Sequence, residues 1–208
     1  MNRYSLRRIS DCDTEPVTLA EAADHLRANA PQIAVDGALI TRNIKSARHA
    51  IEQEIGRPIG LQIWELGLRE WPMLFPMQFP RPPLALLQSI KYLCADGVNR
   101  VLFNPSATPP VPCTSFIVDP SGDPGELWLT QTGWWPVEQL ANGFPVRLRF
   151  QCGLVDYDED LKNAVLMTVA HIYENREPFA MVAGLSAVLE LPMGVKDLCA
   201  RYKYVVMG

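Results

Sequence analysis

The sequence predicts an α+β chain in which helices at both ends enclose a small antiparallel β module. Three observations predict it. Apolar residues recur at helical steps near each end: Ile40, Ile44, Ala47, Ile51 and Ile55 in one stretch, Leu161, Ala164, Val165, Thr168 and Ile172 in the other. Over residues 59–153 this period gives way to short alternating runs rich in β-branched and aromatic residues. Twelve of the 18 prolines fall between Pro72 and Pro136, where they punctuate strands and would break helices. The expected organisation is therefore 1–58 as N-terminal helices of a helical bundle, 59–153 as an inserted β module, and 154–208 as C-terminal helices and a tail that complete the bundle.

Each element has its own warrant. Thr18 with Glu21 reads as a capping box opening a first helix through Leu19, Ala22, Ala23 and Leu26, which ends near Asn29 ahead of Pro31. Asp36 is a candidate cap for the second helix, and Gly56 followed by Pro58 is its stop. These two helices are expected to be antiparallel. About six strands follow: LQIWELGL with Trp64, Leu66 and Leu68 on one side, SIKYLC, then RVLF after the Asp96-Gly97 turn, SFIVD, ELWL and VRLRFQCG. Proline-rich PRPP at 80–83 and TPPVP at 108–112 predict extended connections that order on meeting a partner. The acidic group Asp156, Asp158, Glu159 and Asp160 precedes the Leu161 helix, which Pro178 ends. A linker over 178–190 and a short terminal helix from Gly194 to about Tyr202 complete the chain.

A length of 208 residues is enough to bury a substantial core, and 48% hydrophobic with 20% charged residues reads as globular. The formal net charge of −4 and the absence of any Lys/Arg block argue against a dedicated nucleic-acid binder. Cys12, Cys94, Cys113, Cys152 and Cys199 are odd in number and contain no C-x-x-C pair, so they read as reduced thiols. The first residues lack the apolar core of a signal peptide, and no run approaches the roughly 20 apolar residues of a membrane span. Synthesis in the cytoplasm is the expectation.

Each group of chemistry-bearing residues also has a plainer use. The carboxylates at 156–160 suit a hard cation, yet they lack the glycine and downstream glutamate of a calcium loop and sit where a helix N-terminus favours negative charge. His171 and Glu174 resemble half of a metal or acid-base site, but no second histidine lies on that helix. No G-x-S-x-G elbow, P-loop or dinucleotide fingerprint is present. No catalytic, cofactor-binding or metal residue is therefore assigned. Trp64, Trp71, Trp128, Trp134 and Trp135 all fall in the β module, where large amphipathic rings suit packing and protein interfaces.

Six fragments, PVTLAEAADHLR at 16–27, GRPIGLQIWEL at 56–66, PRPPL at 80–84, ADG at 95–97, AHIYENRE at 170–177 and LPMGV at 191–195, occur in an order that resembles the head-tail connector family. This is the adaptor, or head-completion, family of tailed bacteriophages and gene transfer agents, in its version with a β insertion. The resemblance spans most of the chain, from about Pro16 to Tyr202. It implies a connector-type helical bundle, no enzymatic activity and no cofactor. It also implies a virion component that forms a homo-oligomeric ring, expected to be a dodecamer, beneath the portal protein. Such a ring extends the channel through which DNA passes without specific binding, and offers a docking platform to a tail-proximal stopper or tail terminator protein. The candidate portal and subunit interface comprises Tyr202, Tyr204, Val205, Val206 and Met207 of the apolar tail together with Trp134 and Trp135. The alternative is a carbohydrate- or peptide-binding accessory module using the tryptophans, and a further one a metal-dependent hydrolase built on Asp156, Asp158, Glu159 and His171.

Overall fold

The computed structural model describes residues 4–175 and 191–204. The chain divides into two compact units, one from Met1–Cys12 and Leu61–Leu154, the other from Asp13–Gly60 and Val155–Gly208. Among the described residues the regular elements of the first are all strands and those of the second all helices, so the class is α+β.

The β unit holds eight strands: β1 (Tyr4–Ser10), β2 (Gln62–Leu68), β3 (Met77–Gln78), β4 (Leu84–Leu93), β5 (Asn99–Phe103), β6 (Phe116–Asp119), β7 (Glu126–Leu129) and β8 (Val146–Cys152). They form a five-stranded antiparallel sheet in the order β1-β2-β8-β4-β5 and a three-stranded one in the order β3-β7-β6. Strict alternation sets the inner face of the larger sheet. In β8, Val146, Leu148, Phe150 and Cys152 are buried while Arg147, Arg149 and Gln151 point outward. Leu148 lies between Leu66 of β2 and Ile90 of β4. Aromatic contacts fill the core, with Phe79 on Phe150 at 5.2 Å, Phe103 edge-on to Phe116 at 5.4 Å and Trp71 edge-on to Tyr92 at 5.3 Å between ring centroids.

The segment 1–58 is not helical throughout, because β1 pairs with β2 from Tyr4 opposite Leu68 to Arg8 opposite Trp64. As an edge strand with one paired side and an exposed surface, YSLRRIS carries charges in place of apolar alternation, and that hides it from a hydrophobic-period reading. The long connection over 104–114 is closed at its base by its own backbone: Asn104 and Val111 exchange both N–H···O bonds, at 2.8 and 2.9 Å.

The helical unit contains α1 (Leu19–His25), α2 (Ala30–Ile55), α3 (Glu159–Glu174) and α4 (Met193–Cys199), the last running into a 3-10 turn at Ala200–Tyr202. α2 packs on α3, α1 lies against both, and α4 packs on α3 and α2. The stripe Ile40, Ile44, Ala47, Ile51 and Ile55 is fully buried with Leu161, Ala164 and Val165 of α3. The Thr18 capping box is present. The second helix starts earlier than its apolar stripe predicts: Asn29 caps it in a second capping box with Gln32, and Pro31 lies inside the first turn. There the missing proline N–H costs nothing, since the first-turn amides have no helical acceptor. Asp36 therefore sits within the helix, where its carboxylate accepts a 2.6 Å hydrogen bond from the Tyr173 hydroxyl. Gly56 ends α2 in the left-handed region at φ 75°. The Pro178 stop and the 178–190 linker lie outside the described residues. α3 closes at Glu174, where the Asn175 amide donates to the His171 carbonyl at 2.8 Å.

A buried ion network organises this unit. Arg48 is 0% exposed, donating from Nε and Nη2 to both carboxylate oxygens of Glu15 at 2.7 and 3.2 Å and from Nη1 to Glu52 at 2.9 Å. Glu52 also accepts the Ile59 amide at 2.9 Å. Removing one partner from such a network leaves a buried charge uncompensated, so Glu52→Ala is expected to cost about 3 kcal/mol or more in urea unfolding. The double change Arg48→Met/Glu52→Leu should cost less than that single change; a larger loss would show that the charges themselves stabilise the unit.

Acid dependence follows from the caps. The Glu21 carboxyl is held below its ordinary value of 4.5, first by the Thr18 backbone N–H, which donates to it at 2.6 Å, and second by the Thr18 hydroxyl. A carboxylate with a depressed folded-state pKa contributes stability that is present above its ordinary value and is lost as pH falls through the depressed one. Unfolding curves collected downward from pH 5 should therefore show a loss that Glu21→Gln makes shallower.

Candidate functional site

The carboxylates at 156–160 serve the start of α3. Asp158 is its N-cap, accepting from the Leu161 amide at 3.4 Å and from the Tyr202 hydroxyl. The Tyr202 bond, ahead of the Leu161 amide, holds the Asp158 carboxyl below its ordinary 3.8. Glu159 pairs with Lys162 at 2.7 Å and Asp160 pairs with Arg201. His171 shares its ring Nδ1 with the Asn175 amide at 3.2 Å, and Glu174 is exposed. Among the described residues, no three His, Cys, Asp or Glu side chains gather as a metal site. Burial pushes the Cys199 thiol up to about 11, the opposite of what a nucleophile requires. What these groups do chemically is cap, pair and pack.

The tail begins differently from its expected role. Tyr202 and Tyr204 are not left unpartnered: the Tyr202 hydroxyl is spent on Asp158, and the Tyr204 amide donates to the Ile55 carbonyl at 2.7 Å. The Tyr204 ring lies under the Arg57 guanidinium at 5.7 Å, and its Cβ crosses Gly56 so closely that a Cβ on that glycine would lie 3.6 Å away. Tyr204 thus closes the C-terminal end of α2 by satisfying the Ile55 carbonyl, while Tyr202 bonds the residue that caps the start of α3. Val205, Val206 and Met207, the other tail residues assigned to the interface, lie outside the described residues.

The two adjacent tryptophans have opposite fates. Trp135 stacks on Trp71 at 4.8 Å with planes 8° apart, and its indole N–H donates to the Pro72 carbonyl at 2.9 Å. This ties the loop after β2 to the loop after β7. Trp134 is 79% exposed. Beside Pro72 on the first loop, Met73 and Leu74 are more than four-fifths exposed, and Val137 on the second is almost fully so. Four large apolar side chains thus stand in water on two loops pinned together by one half-buried ring, a surface of the kind that marks a protein contact. Met73, Leu74 and Val137 were missed in the sequence, although WPMLFP, with apolar residues between prolines and out of strand alternation, is the signal for the first two; Val137 carries none. Trp64 lies under Arg81 at 5.2 Å, while Trp128 is partly exposed on β7 opposite Ile117. One exposed ring beside an isoleucine on a sheet surface does not make a sugar-binding cleft.

No protein-family model and no curated protein matches the chain. Solved structures do. The chain is similar to a chain in the neck of an empty gene transfer agent (GTA) particle computed with C6 symmetry, with a TM-score of 0.70 and 20% sequence identity over 98% of both chains. It is similar to one in the virion of a native GTA particle, with a TM-score of 0.68 and 20% identity over 98% of both chains. The neck of a native GTA particle computed with C12 symmetry gives a TM-score of 0.66 and 21% identity, again over 98% of both. At this level of identity the likeness is one of fold, and it takes in both the β unit and the helical unit.

Proposed function

We propose that this chain is a structural neck component of a phage or phage-like particle: a head-tail adaptor, without enzymatic activity, that closes into a homo-oligomeric ring of expected twelvefold symmetry. It is made in the bacterial host cytoplasm and resides in the virion. The ring sits beneath the portal, extends the DNA channel, and gives the stopper or tail terminator protein a platform. The observation that carries this reading is the end-to-end fold likeness to chains of GTA necks, structures computed with C6 and C12 symmetry. The exposed apolar loops support it, because a ring of identical subunits needs heterologous, non-self-complementary surfaces, and Met73, Leu74, Trp134 and Val137 offer one. The contact surface is assigned to these loops, since Tyr202 and Tyr204 are spent within their own unit. The helices that pack around α2 and α3 supply the connector-type bundle of this reading.

The test combines assembly with folding. Trp134→Ala with Leu74→Ser should leave the melting temperature unchanged but lower ring formation, or co-sedimentation with portal-containing heads, by at least about tenfold, as expected of an exposed anchor. Trp135→Ala should instead cost about 3 kcal/mol of stability through loss of a packed ring. Wild-type attachment by the first variant would remove the loops from the interface. A monomer that binds glycans and never joins a head would favour the accessory-module reading. A hydrolytic activity lost in His171→Ala or Glu174→Gln would replace both.

A further inference from the structure

Scattered along the sequence, the cations of the β unit form no block, yet the pairing of the larger sheet brings five of them to one face. Arg7, Glu65 and Arg149 stand side by side on β1, β2 and β8. Ser5, Gly67, Arg147 and Lys91 make the next row, across β1, β2, β8 and β4. Leu6, Leu66, Leu148 and Ile90 alternate with these residues on the opposite, core-facing side. Arg69, two residues beyond Gly67, lies over the Phe144 ring at 5.2 Å, and that ring borders the same face. This face holds five of the nine Lys and Arg residues of the β unit but one of its eight carboxylates.

That carboxylate is shared. Glu65 receives Arg7 at 2.9 Å and Arg149 at 3.3 Å, so Arg69, Lys91 and Arg147 have no ion-pair partner among the described residues. Over β1, β2 and β8 runs an open groove of about 350 Å³ lined by Ser5, Arg7, Glu65, Gly67, Phe144 and Arg147. Gly67 keeps it open, since a Cβ there would press to 3.2 Å from that of Phe144. Neighbouring strands lie about 4.8 Å apart and same-face residues about 7 Å apart along a strand, so the cationic tips spread over a surface instead of meeting at a point. Such an array suits a repeating anion more than a single one.

We propose that the outer face of the five-stranded sheet binds the phosphate backbone of duplex DNA without sequence preference. Four of its five cations are arginines, whose planar forks match phosphate oxygens. The face offers no helix or β-ribbon to enter a groove, so base readout is not part of the contact. A protein partner is the less suitable occupant, because the most exposed apolar side chains of the β unit, Met73, Leu74, Trp134 and Val137, stand on the loops, Leu86 and Val101 on this face are only about half exposed, and the aromatic ring bordering the groove is covered by Arg69. The contact adds to the neck reading and does not depend on ring formation.

Fluorescence anisotropy of a labelled mixed-sequence duplex of about 20 base pairs, titrated with the purified full-length chain, tests it. Binding is expected at low salt, with log K falling against log salt at a slope of about −2.7 to −4.5 for three to five contacts. Arg147→Gln/Lys91→Gln should weaken binding about tenfold or more and make the slope shallower by nearly 2, since each lost contact removes about 0.9. Arg42→Glu, which changes net charge by the same two units on an exposed position of α2, should change little. An absence of binding by the wild-type chain at low salt overturns the proposal, as does an equal loss in the Arg42 variant. Binding of a poly-glutamate peptide in place of the duplex would overturn it in favour of an acidic protein partner.

Discussion

A guanidinium with no access to water has to be neutralised where it lies, and in this protein that requirement fixes three separate pieces of chain. Arg48 is enclosed within the helical unit and holds Glu15 with two of its nitrogens and Glu52 with a third. Glu52 in turn receives the Ile59 amide. The residues at which the chain enters and leaves the N-terminal half of this unit are thereby tied to the middle of one helix. A hydrophobic stripe can slide by a turn and still be buried. A bidentate ion pair cannot, because a shift of one turn would strand a charge in a medium that does not solvate it. The isoleucines of α2 supply most of the buried apolar surface, and Arg48 supplies the register in which it is buried.

How much of this was legible in sequence depended on whether the signal was local. VRLRFQC alternates so strictly that strand, buried face and outer face can all be read from it, and the Thr18 capping box and the Gly56 stop are equally local. Pro31 looks like the end of one helix in the sequence and marks the beginning of the next, because the N–H that proline lacks is needed in a helix interior but has no helical acceptor in the first turn. β1 was invisible: an edge strand partnered by residues some sixty positions away has no need of an apolar period. Trp134 and Trp135 cannot be told apart in a sequence, since the distinction rests on which ring meets Trp71 and the Pro72 carbonyl. Tyr202 and Tyr204 read as an unsatisfied apolar end, yet their partners, Asp158 and Ile55, lie in distant helices of the same unit.

The candidate site has the character of surfaces, not of a cleft. Its titratable groups are committed to helix ends and ion pairs, while two chemically different surfaces of the β unit are left to meet other molecules: an apolar one on loops and a cationic one on a sheet. They differ in how they would be read from sequence. The loop surface is a local composition, apolar residues between prolines. The cationic face exists only in two dimensions, because arginines on different strands become neighbours through strand register alone. Counting Lys and Arg along the chain does not register such neighbours.

Strand order carries a further consequence, for the order of events in synthesis. β8 is the last strand of its unit to be made, yet it lies in the middle of the larger sheet, between β2 and β4. Until residue 152 has left the ribosome, β1 with β2 and β4 with β5 can exist only as two separate pairs, each with an open inner edge. Every hydrogen bond joining those halves is made by β8, so the sheet closes in one late, non-local step. The open edges are the hazard of that interval, since unpaired strands recruit other chains. Two of the five cations on the outer face lie on β8 itself, so a strand completing a mostly apolar core arrives bearing charge on its other side. Arg147 and Arg149 thus put like charge on the outer face at the moment the sheet closes, and like charges on facing copies repel.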